Sequence, residues 1–376
     1  MIKKLLGDFM QKEYQLYRRN GKLVYIKQPE YEELAFTANL WADEETMRDI
    51  GGVYKFTEDK WESFYKKMVS PTDGRNFYCL IYTVEDEPIG EVSFHGYDPT
   101  TKVARSNIKI HHKYRNMGFG EEAMRLMLEY YFFDFDGEMI LDKAKNECGR
   151  VFANKLGFQE SGTYQKETTF KLAKNNFFYF KDSNVKNVSF IIYENINITN
   201  YTLFWDIFNE VNKLSDEKIF NFEIISLTHD INYSNNLKFE LNPSNVSISD
   251  SSIIILPDST SIENIIDNEN VIKSIVEVYN QCNYICAIGN SIAILEQIKS
   301  LTGMSIPNIE NLNKLIKSEK LNKIKIVNKN FVDNGKVMIA SNLMGIIEMI
   351  LAIIFKVVGK DLVKQMQDKL GINHIT

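Results

Sequence analysis

The chain has no surplus of positive charge. Its 44 Lys and Arg residues are outnumbered by 50 Asp and Glu, a net charge of −6. It also lacks the basic stripe with which proteins grip nucleic acid, so no nucleic-acid partner is expected. Mixed stretches such as residues 317–325 read as solvated helix and loop. Cysteine is scarce: Cys79, Cys148, Cys282 and Cys286 are spaced neither as a disulfide framework nor as a zinc site. A reduced, cytoplasmic setting without a metal is the expectation. Long apolar runs are missing too. Residues 1–6 are followed by polar 7–12 and lack the apolar core of a signal peptide. Leu343–Val358 is interrupted by Glu348 and Lys356, too short and too charged to span a bilayer, and reads as a buried helix. No membrane partner is expected.

What is present is ordinary for a soluble protein, 44% hydrophobic and 25% charged. A length of 376 residues suits two domains. Composition shifts near residue 174, with most arginines before it and an excess of Ile, Asn and Ser after it. The expected division is 1–173, a connection over 174–186, and 187–376. Phe177-Phe178-Tyr179-Phe180 inside the connection is too apolar for a free linker and should pack on a domain or add an edge strand. No internal repeat is found.

The most informative stretch is Arg115-Asn116-Met117-Gly118-Phe119-Gly120. Before it, Ser106 to His112 alternates as a half-buried strand does. After it, Glu121 to Phe133 carries Ala123, Leu126, Met127, Tyr130 and Tyr131 at helical spacing. A glycine-bearing loop that opens a helix presents free backbone N–H groups at the positive end of the helix dipole, a site for phosphate. Gly118 and Gly120 let the backbone approach a ligand closely. On the loop alone, a strand-to-helix turn with two incidental glycines carries equal weight.

The stretch resembles the pyrophosphate loop of GNAT N-acetyltransferases, Arg/Gln-x-x-Gly-x-Gly/Ala. Ile89 to Phe94 resembles that family's central strand. Asn146, then Lys155-Leu156-Gly157-Phe158 and Gly162, resembles its second signature. Trp41 to Arg48 is similar to the first-helix segment of the branch with ribosomal-protein and aminoglycoside acetyltransferases. The resemblance covers about residues 22–172. It implies an α+β mixed sheet with splayed central strands. It also implies acetyl-CoA, its pyrophosphate held by Arg115 to Gly120 and its pantetheine arm paired with the strand of Ile108 and Ile110. That strand and the Glu91 strand are expected to splay apart around the thioester, leaving N–H groups to stabilise an oxyanion.

Glu91 is the expected base, since a half-buried carboxylate has a raised proton affinity; an ion-paired structural acid is the equal alternative. His95, His111 and His112 are runners-up, and His95 shares a face with Glu91 if the strand runs unbulged. The family's general acids for the leaving thiolate are replaced, a Tyr by Ala153 and a Ser by Gly149. Asn146 remains as a catalytic and cofactor-side group, with Cys148, Tyr164 or water as substitutes. By analogy the acceptor contacts Trp41, Asp43, Met47, Arg48, Phe94 and Tyr97, although residues like Trp41 and Met47 are more often the core of an amphipathic helix.

From residue 187 strands and helices alternate, which implies a parallel sheet covered on both faces, flavodoxin-like and doubly wound. Strands are expected at Val188–Tyr193, Phe222–Ser226, Ser252–Leu256, Tyr284–Ile288, Ile324–Lys329 and Val337–Ala340. Helices are expected at Asn200–Leu214, Val271–Asn280, Ser291–Thr302 and Leu343–Gly371, with a turn at Asp333-Asn334-Gly335. Residues 187–372 resemble the ThiJ/PfpI superfamily of the class I glutamine-amidotransferase-like fold. The resemblance rests on Val188–Phe208, Tyr284–Ser291 and Phe331–Ala340. Its nucleophile is missing: Gly289 stands at the Cys position, Asn200 at the facing acid, and Asp258-Ser259 at the oxyanion glycines. His229 and His374 are the only histidines in this half. Cys286 reads as a buried core thiol, with a displaced nucleophile as the minority alternative.

The expectation is an acetyl-CoA-dependent N-acetyltransferase acting on a small amine, an aminoglycoside or a protein N-terminus. Its second domain would lack catalysis and serve ligand binding, regulation or homodimer contact. A pocket of Glu194, Asn200, Gly289, Asn290 and Ser291 would take a small ligand. The rival expectations are an acetyl-CoA sensor without turnover and a hydrolase or hydratase built on Cys286.

Overall fold

The computed structural model describes residues 16–48, 50–70, 74–164, 167–177, 186–215, 217–226, 251–298 and 300–372. The chain forms two compact units, one of residues 1–19 and 23–177 and one of residues 20–22 and 178–376. Among the described residues, no helix is long and apolar enough to cross a membrane.

The first unit is an eight-stranded mixed sheet of order β1-β2-β3-β4-β5-β6-β8-β7. Its strands are β1 Arg18–Asn20, β2 Val24–Lys27, β3 Phe77–Thr83, β4 Pro88–Asp98, β5 Val103–Ile110, β6 Met139–Ala144, β7 Gln159–Tyr164 and β8 Glu167–Ala173. Helices α1 Leu34–Ala42, α2 Glu44–Met47 and α3 Trp61–Met68 precede β3. Helix α4, Phe119–Glu129, crosses over between β5 and β6, and α5, Glu147–Lys155, follows β6. The helical period from Ala123 onward continues past α4 into a wider turn, Tyr130–Asp134. Every residue of β3 is buried, as expected for a central strand clad on both faces.

One local feature shapes the site. β4 and β5 pair antiparallel without a gap from Gly90↔Ile110 to His95↔Arg105. Gly90 permits this, because a Cβ there would lie 2.3 Å from the Lys109 carbonyl oxygen. β5 and β6 pair in parallel only at Val103↔Met139, Ala104↔Ile140 and Arg105↔Leu141. Beyond that rung they part. The splay is therefore between the loop strand and β6, not between the Glu91 strand and the loop strand. The sequence expectation misplaced it because register is a tertiary property.

The second unit holds a six-stranded sheet of order β10-β9-β11-β12-β16-β15. It comprises β9 Lys186–Ile192, β10 Phe220–Ser226, β11 Ile253–Leu256, β12 Tyr284–Ile288, β15 Phe331–Asn334 and β16 Val337–Ala340. All neighbours are parallel except β15, which is antiparallel to β16. The order reverses beside β9, as in doubly wound sheets. Helices α6 Ile198–Leu214, α7 Ile262–Ile266, α8 Glu269–Gln281 and α9 Ile292–Gln297 cover it, with short α10 Leu312–Leu315 and α11 Ser318–Leu321.

Four details differ from the sequence reading. The run 324–329 yields only β14, Lys325–Val327, paired with β13, Ser305–Pro307, in a separate two-stranded sheet. Asp333 and Asn334 belong to β15, and the tight turn falls on Gly335 and Lys336, closed by Gly335 N–H donating to Asp333 Oδ1 at 2.7 Å. The long last helix is two, α12 Leu343–Val358 and α13 Lys360–Leu370, broken at Gly359 with φ 84°. The helix expected at Ser291–Thr302 begins as a single tight turn and ends at Gln297. In the connection, Phe177 is buried and packs against Phe132 at 5.4 Å; residues 178–185 lie outside the described residues.

Candidate active site

The loop after β5 turns left-handed twice before it enters α4. Asn116 and Gly118 both adopt left-handed backbone, φ 63° and 84°, and Gly118 caps α4. Such a loop turns successive N–H groups toward one point, at the positive end of the helix. The acids of the first α4 turn are occupied: Glu122 accepts from Leu23 N–H at 2.6 Å and Val24 N–H at 2.8 Å, and Glu121 pairs with Lys155 and Arg125. Arg115 lends charge nearby, but its side chain donates to the carbonyls of Ile110 at 3.2 Å and Thr46 at 2.5 Å. It fixes the loop rather than reaching outward. A Cβ on Gly120 would lie 3.3 Å from Ile110 Cγ1, so this glycine lets α4 seat on β5.

From the loop an open strand edge leads into the fork. His111 N–H donates to Ile89 O at 2.9 Å. Antiparallel alternation then turns the backbone groups of Ile108 and Ile110 away from β4, toward the side where β6 has departed. An anion nest joined to an unpaired strand edge can hold a phosphate-bearing ligand with an amide-containing arm.

The opposite face of β4 and β5 carries Glu91. Its side chain is fully buried, not half-buried as the sequence reading supposed. Glu91 Oε2 accepts from Trp41 Nε1 at 2.8 Å and Tyr78 OH at 2.7 Å, and Oε1 is ion-paired with Lys109 Nζ. Lys109 also lies 5.1 Å from the centre of the Trp41 ring. This carboxylate has its oxygens engaged, the arrangement of an ion-paired acid rather than of a free base. Tyr78 and Lys109 were missed from sequence; the register Glu91↔Lys109 across the two strands is what joins them.

β4 runs unbroken through Glu91, Ser93 and His95, its irregularity against β5 falling after His95, so the three share a face. Burial first, then the charges of Arg105, Lys109 and Lys67, push the His95 imidazole below its ordinary value and keep it neutral at pH 7. Phe94 points the other way. It is fully buried against Phe77 at 5.4 Å and Tyr131 at 4.9 Å, and Tyr97 joins the same cluster through Phe135 at 4.7 Å. Both were expected to touch the acceptor; strand parity turns Phe94 into the aromatic core, and the irregularity after His95 brings the partly exposed Tyr97 to the edge of the same cluster. Met47 is likewise buried, whereas Trp41 and Asp43 are partly exposed and Arg48 exposed.

Asp43 caps α2, accepting Thr46 N–H at 2.7 Å. Hydrogen bonds from Thr46, then the nearby His112, hold its carboxyl well below the usual range. His112 Nδ1 lies 3.1 Å from Asp43 Oδ1. Asp43, His111 and His112 bring one ligating atom each within 4.8 Å of one another. The two imidazoles, however, stack at 4.5 Å and 29°, so their in-plane lone pairs do not converge on one ion. His111 is pushed down by burial and by His112.

Asn146 caps α5, its Oδ1 accepting Gly149 N–H at 2.8 Å, and is exposed. Its oxygen is therefore committed to the helix. Gly149 is explained by packing, since a Cβ there would sit 3.1 Å from Ala144 Cβ. Ala153 is buried. Cys148 is exposed; the Tyr164 side chain lies outside the described residues.

In the second unit β12 passes into a tight helical turn at Gly289. Gly289 has φ +56°, and a Cβ there would lie 2.7 Å from both Cγ and Oδ1 of Asp258. The Asp258 carboxylate fills the space and accepts Asn290 N–H at 2.9 Å; burial raises its proton affinity. Buried Asn200 accepts Asp258 N–H at 3.0 Å, and buried Ser291 donates to Leu256 O at 2.9 Å. Glu194 accepts from Asn264 at 3.3 Å, and Asn290 reaches Ser259 O at 3.5 Å. These groups stitch the crevice together, so Asn200 and Ser291 do not line an open pocket. Cys286 is fully buried, and burial pushes its thiol far up, which removes it as a nucleophile. His229 and His374 lie outside the described residues.

Residues 24–159 match the acetyltransferase (GNAT) domain family. The first unit thus carries a GNAT acetyltransferase domain. None of the curated proteins matches the chain. Solved structures similar to it fall into two groups. One includes a GNAT-family acetyltransferase from Bacillus anthracis, 19% identical over 42% of this chain and 98% of that one, TM-score 0.36. It also includes a spermidine N-acetyltransferase from Vibrio cholerae in complex with CoA and spermine, 18% identical over 41% and 97%, TM-score 0.37. The other includes Drosophila melanogaster DJ-1beta, 14% identical over 51% and 100%, TM-score 0.43.

Proposed function

We propose that the first unit is an N-acetyltransferase moving an acetyl group from acetyl-CoA to a primary amine. The observation that carries this reading is the left-handed nest at Asn116 and Gly118 opening directly onto the unpaired edge of β5. The nest residues Arg115 to Gly120 hold the pyrophosphate, and the backbone of Ile108 and Ile110 pairs with the pantetheine amides. Acetyl-CoA supplies an activated acyl carbon when bound. Trp41, Asp43 and Arg48 border the acceptor, while Glu91 and Lys109 keep that wall in place as a buried ion pair. The acceptor is a small amine, an aminoglycoside or a protein N-terminus.

The second unit is a ThiJ/PfpI-like domain (187–376) that has lost catalysis, since Asp258 occupies the space of the nucleophile. It serves assembly or regulation. A second reading, an acetyl-CoA sensor without turnover, is favoured by Ala153 and Gly149, where α5 offers no hydroxyl. Thiol release from acetyl-CoA across polyamines, aminoglycosides and N-terminal peptides separates the two. Turnover on one acceptor class supports the enzyme; tight binding with no turnover on any supports the sensor.

A further inference from the structure

The strand fork holds an acid that the sequence reading passed over. Pairing of β5 with β6 ends at Arg105↔Leu141, so Ser106 and Asp142 form the first open rung. Asp142 shares its strand face with Ile140 and Ala144. Ala144 meets the first turn of α5 at Gly149. On β5, the matching face of Ile108 and Ile110 meets Gly120 and, beyond it, Phe152 of α5. Asp142 therefore lies on the side of the fork from which the loop's ligand enters, on the strand beneath the helix whose positions 149 and 153 carry no hydroxyl.

The carboxylate is held by Lys143 N–H, which donates to Oδ1 at 2.8 Å. The Ser106 side chain beside it adds a weaker hold on the charged form. Burial outweighs both and pushes the carboxyl up to about 6. Around it, β8 offers Thr168 and Phe170. α5 carries Glu147, Cys148 and Arg150, with Arg150 paired to Glu147 at 3.0 Å. No charged neighbour is among the causes of the shift.

We propose that Asp142 is the proton relay of the acetyl transfer, taking the place of the hydroxyl that α5 lacks. The proposal rests on the acetyltransferase reading above. As the C–N bond forms and the C–S bond breaks, the sulfur keeps the bonding pair. The proton given up by the amine nitrogen passes to an Asp142 carboxylate oxygen and from there to the sulfur. The balance is amine plus thioester to amide plus thiol, with no further reactant.

The test compares wild type with Asp142→Asn, Asp142→Glu and His95→Gln. The expected result is that Asp142→Asn binds acetyl-CoA as tightly as wild type by calorimetry while kcat falls at least tenfold. It should also lose the acid limb of the kcat profile near pH 6. Asp142→Glu should keep part of both. An acetyl donor with a more acidic thiol should relieve the part of the Asp142→Asn defect that comes from protonating the sulfur, which loss of a merely structural residue would not allow. Carbon-13 NMR of the unliganded protein should show one aspartate carboxyl titrating near 6 that is absent from Asp142→Asn. Unchanged kcat in Asp142→Asn, or an acid limb that disappears only in His95→Gln, overturns the proposal alone. A wild type that binds acetyl-CoA but turns over no acceptor overturns the acetyltransferase reading and the proposal with it.

Discussion

Asp142 costs the fold stability while it is ionised, and the cost can be measured without substrate. A free aspartate titrates at 3.8, whereas burial at the fork raises Asp142 to about 6. That gap corresponds to about 3 kcal/mol. The sign follows from proton counting. Between those two values the folded protein binds more protons than the unfolded chain, so this group's contribution to stability falls as pH rises through the window. Asn is nearly isosteric and keeps an oxygen to accept Lys143 N–H, but carries no charge. Asp142→Asn should therefore be more stable than wild type by about 1 kcal/mol at pH 4.5 and by about 3 kcal/mol at pH 7.5. Urea unfolding of both proteins at these pH values reads the difference directly. A difference that stays flat with pH, or a variant less stable than wild type at pH 7.5, refutes the reasoning. A gain in stability coupled to a loss of activity would mark the strain as functional.

Breaking the buried Glu91–Lys109 pair from one side should be costly: Lys109→Met or Glu91→Gln alone loses about 3 kcal/mol. The double variant should lose less than the sum, so additivity in a double-mutant cycle would show that the two do not couple. Gly118→Ala forces a side chain into left-handed backbone, at about 1–2 kcal/mol. It should weaken acetyl-CoA binding at least tenfold by calorimetry, and unchanged affinity would remove the loop from the site. In the second unit, Gly289→Ala should destabilise by about 2 kcal/mol through contact with Asp258, and Asp258→Ala on that background should recover part of it; no recovery would mean that Asp258 is not what fills the space at that turn. A thiol reagent on the folded protein should modify Cys148 and spare Cys79, Cys282 and Cys286, which are buried; peptide mapping of the labelled protein checks this.

The loop at Arg115 to Gly120 was legible because its chemistry is local. Two residues suited to left-handed backbone, placed between an alternating strand and a 3.6-period helix, mark a tight turn that opens a helix, with an anion nest and an incidental turn of equal weight on the loop alone. The alternation of β and α segments after residue 187 was legible for the same reason: each element buries its own apolar face. Strand parity put Glu91, Ser93 and His95 on one face on condition that the strand ran unbulged, and its continuous pairing with β5 meets that condition. What lay beyond reach depends on register and partner choice. Nothing near Phe94 in sequence says that its face meets Tyr131 and not an acceptor. Likewise nothing near Glu91 says that Lys109, eighteen residues on, will neutralise it. The side of β5 that stays open is settled by where β6 stops pairing, and that stop leaves an ordinary-looking Asp142 as a half-buried acid at the fork. At the turn after β12, glycine at 289 was visible in sequence, but the carboxylate that fills the space beside it comes from the end of a neighbouring strand. Burial, ion pairing and proton affinity are properties of neighbours, and for this chain the neighbours come from distant segments.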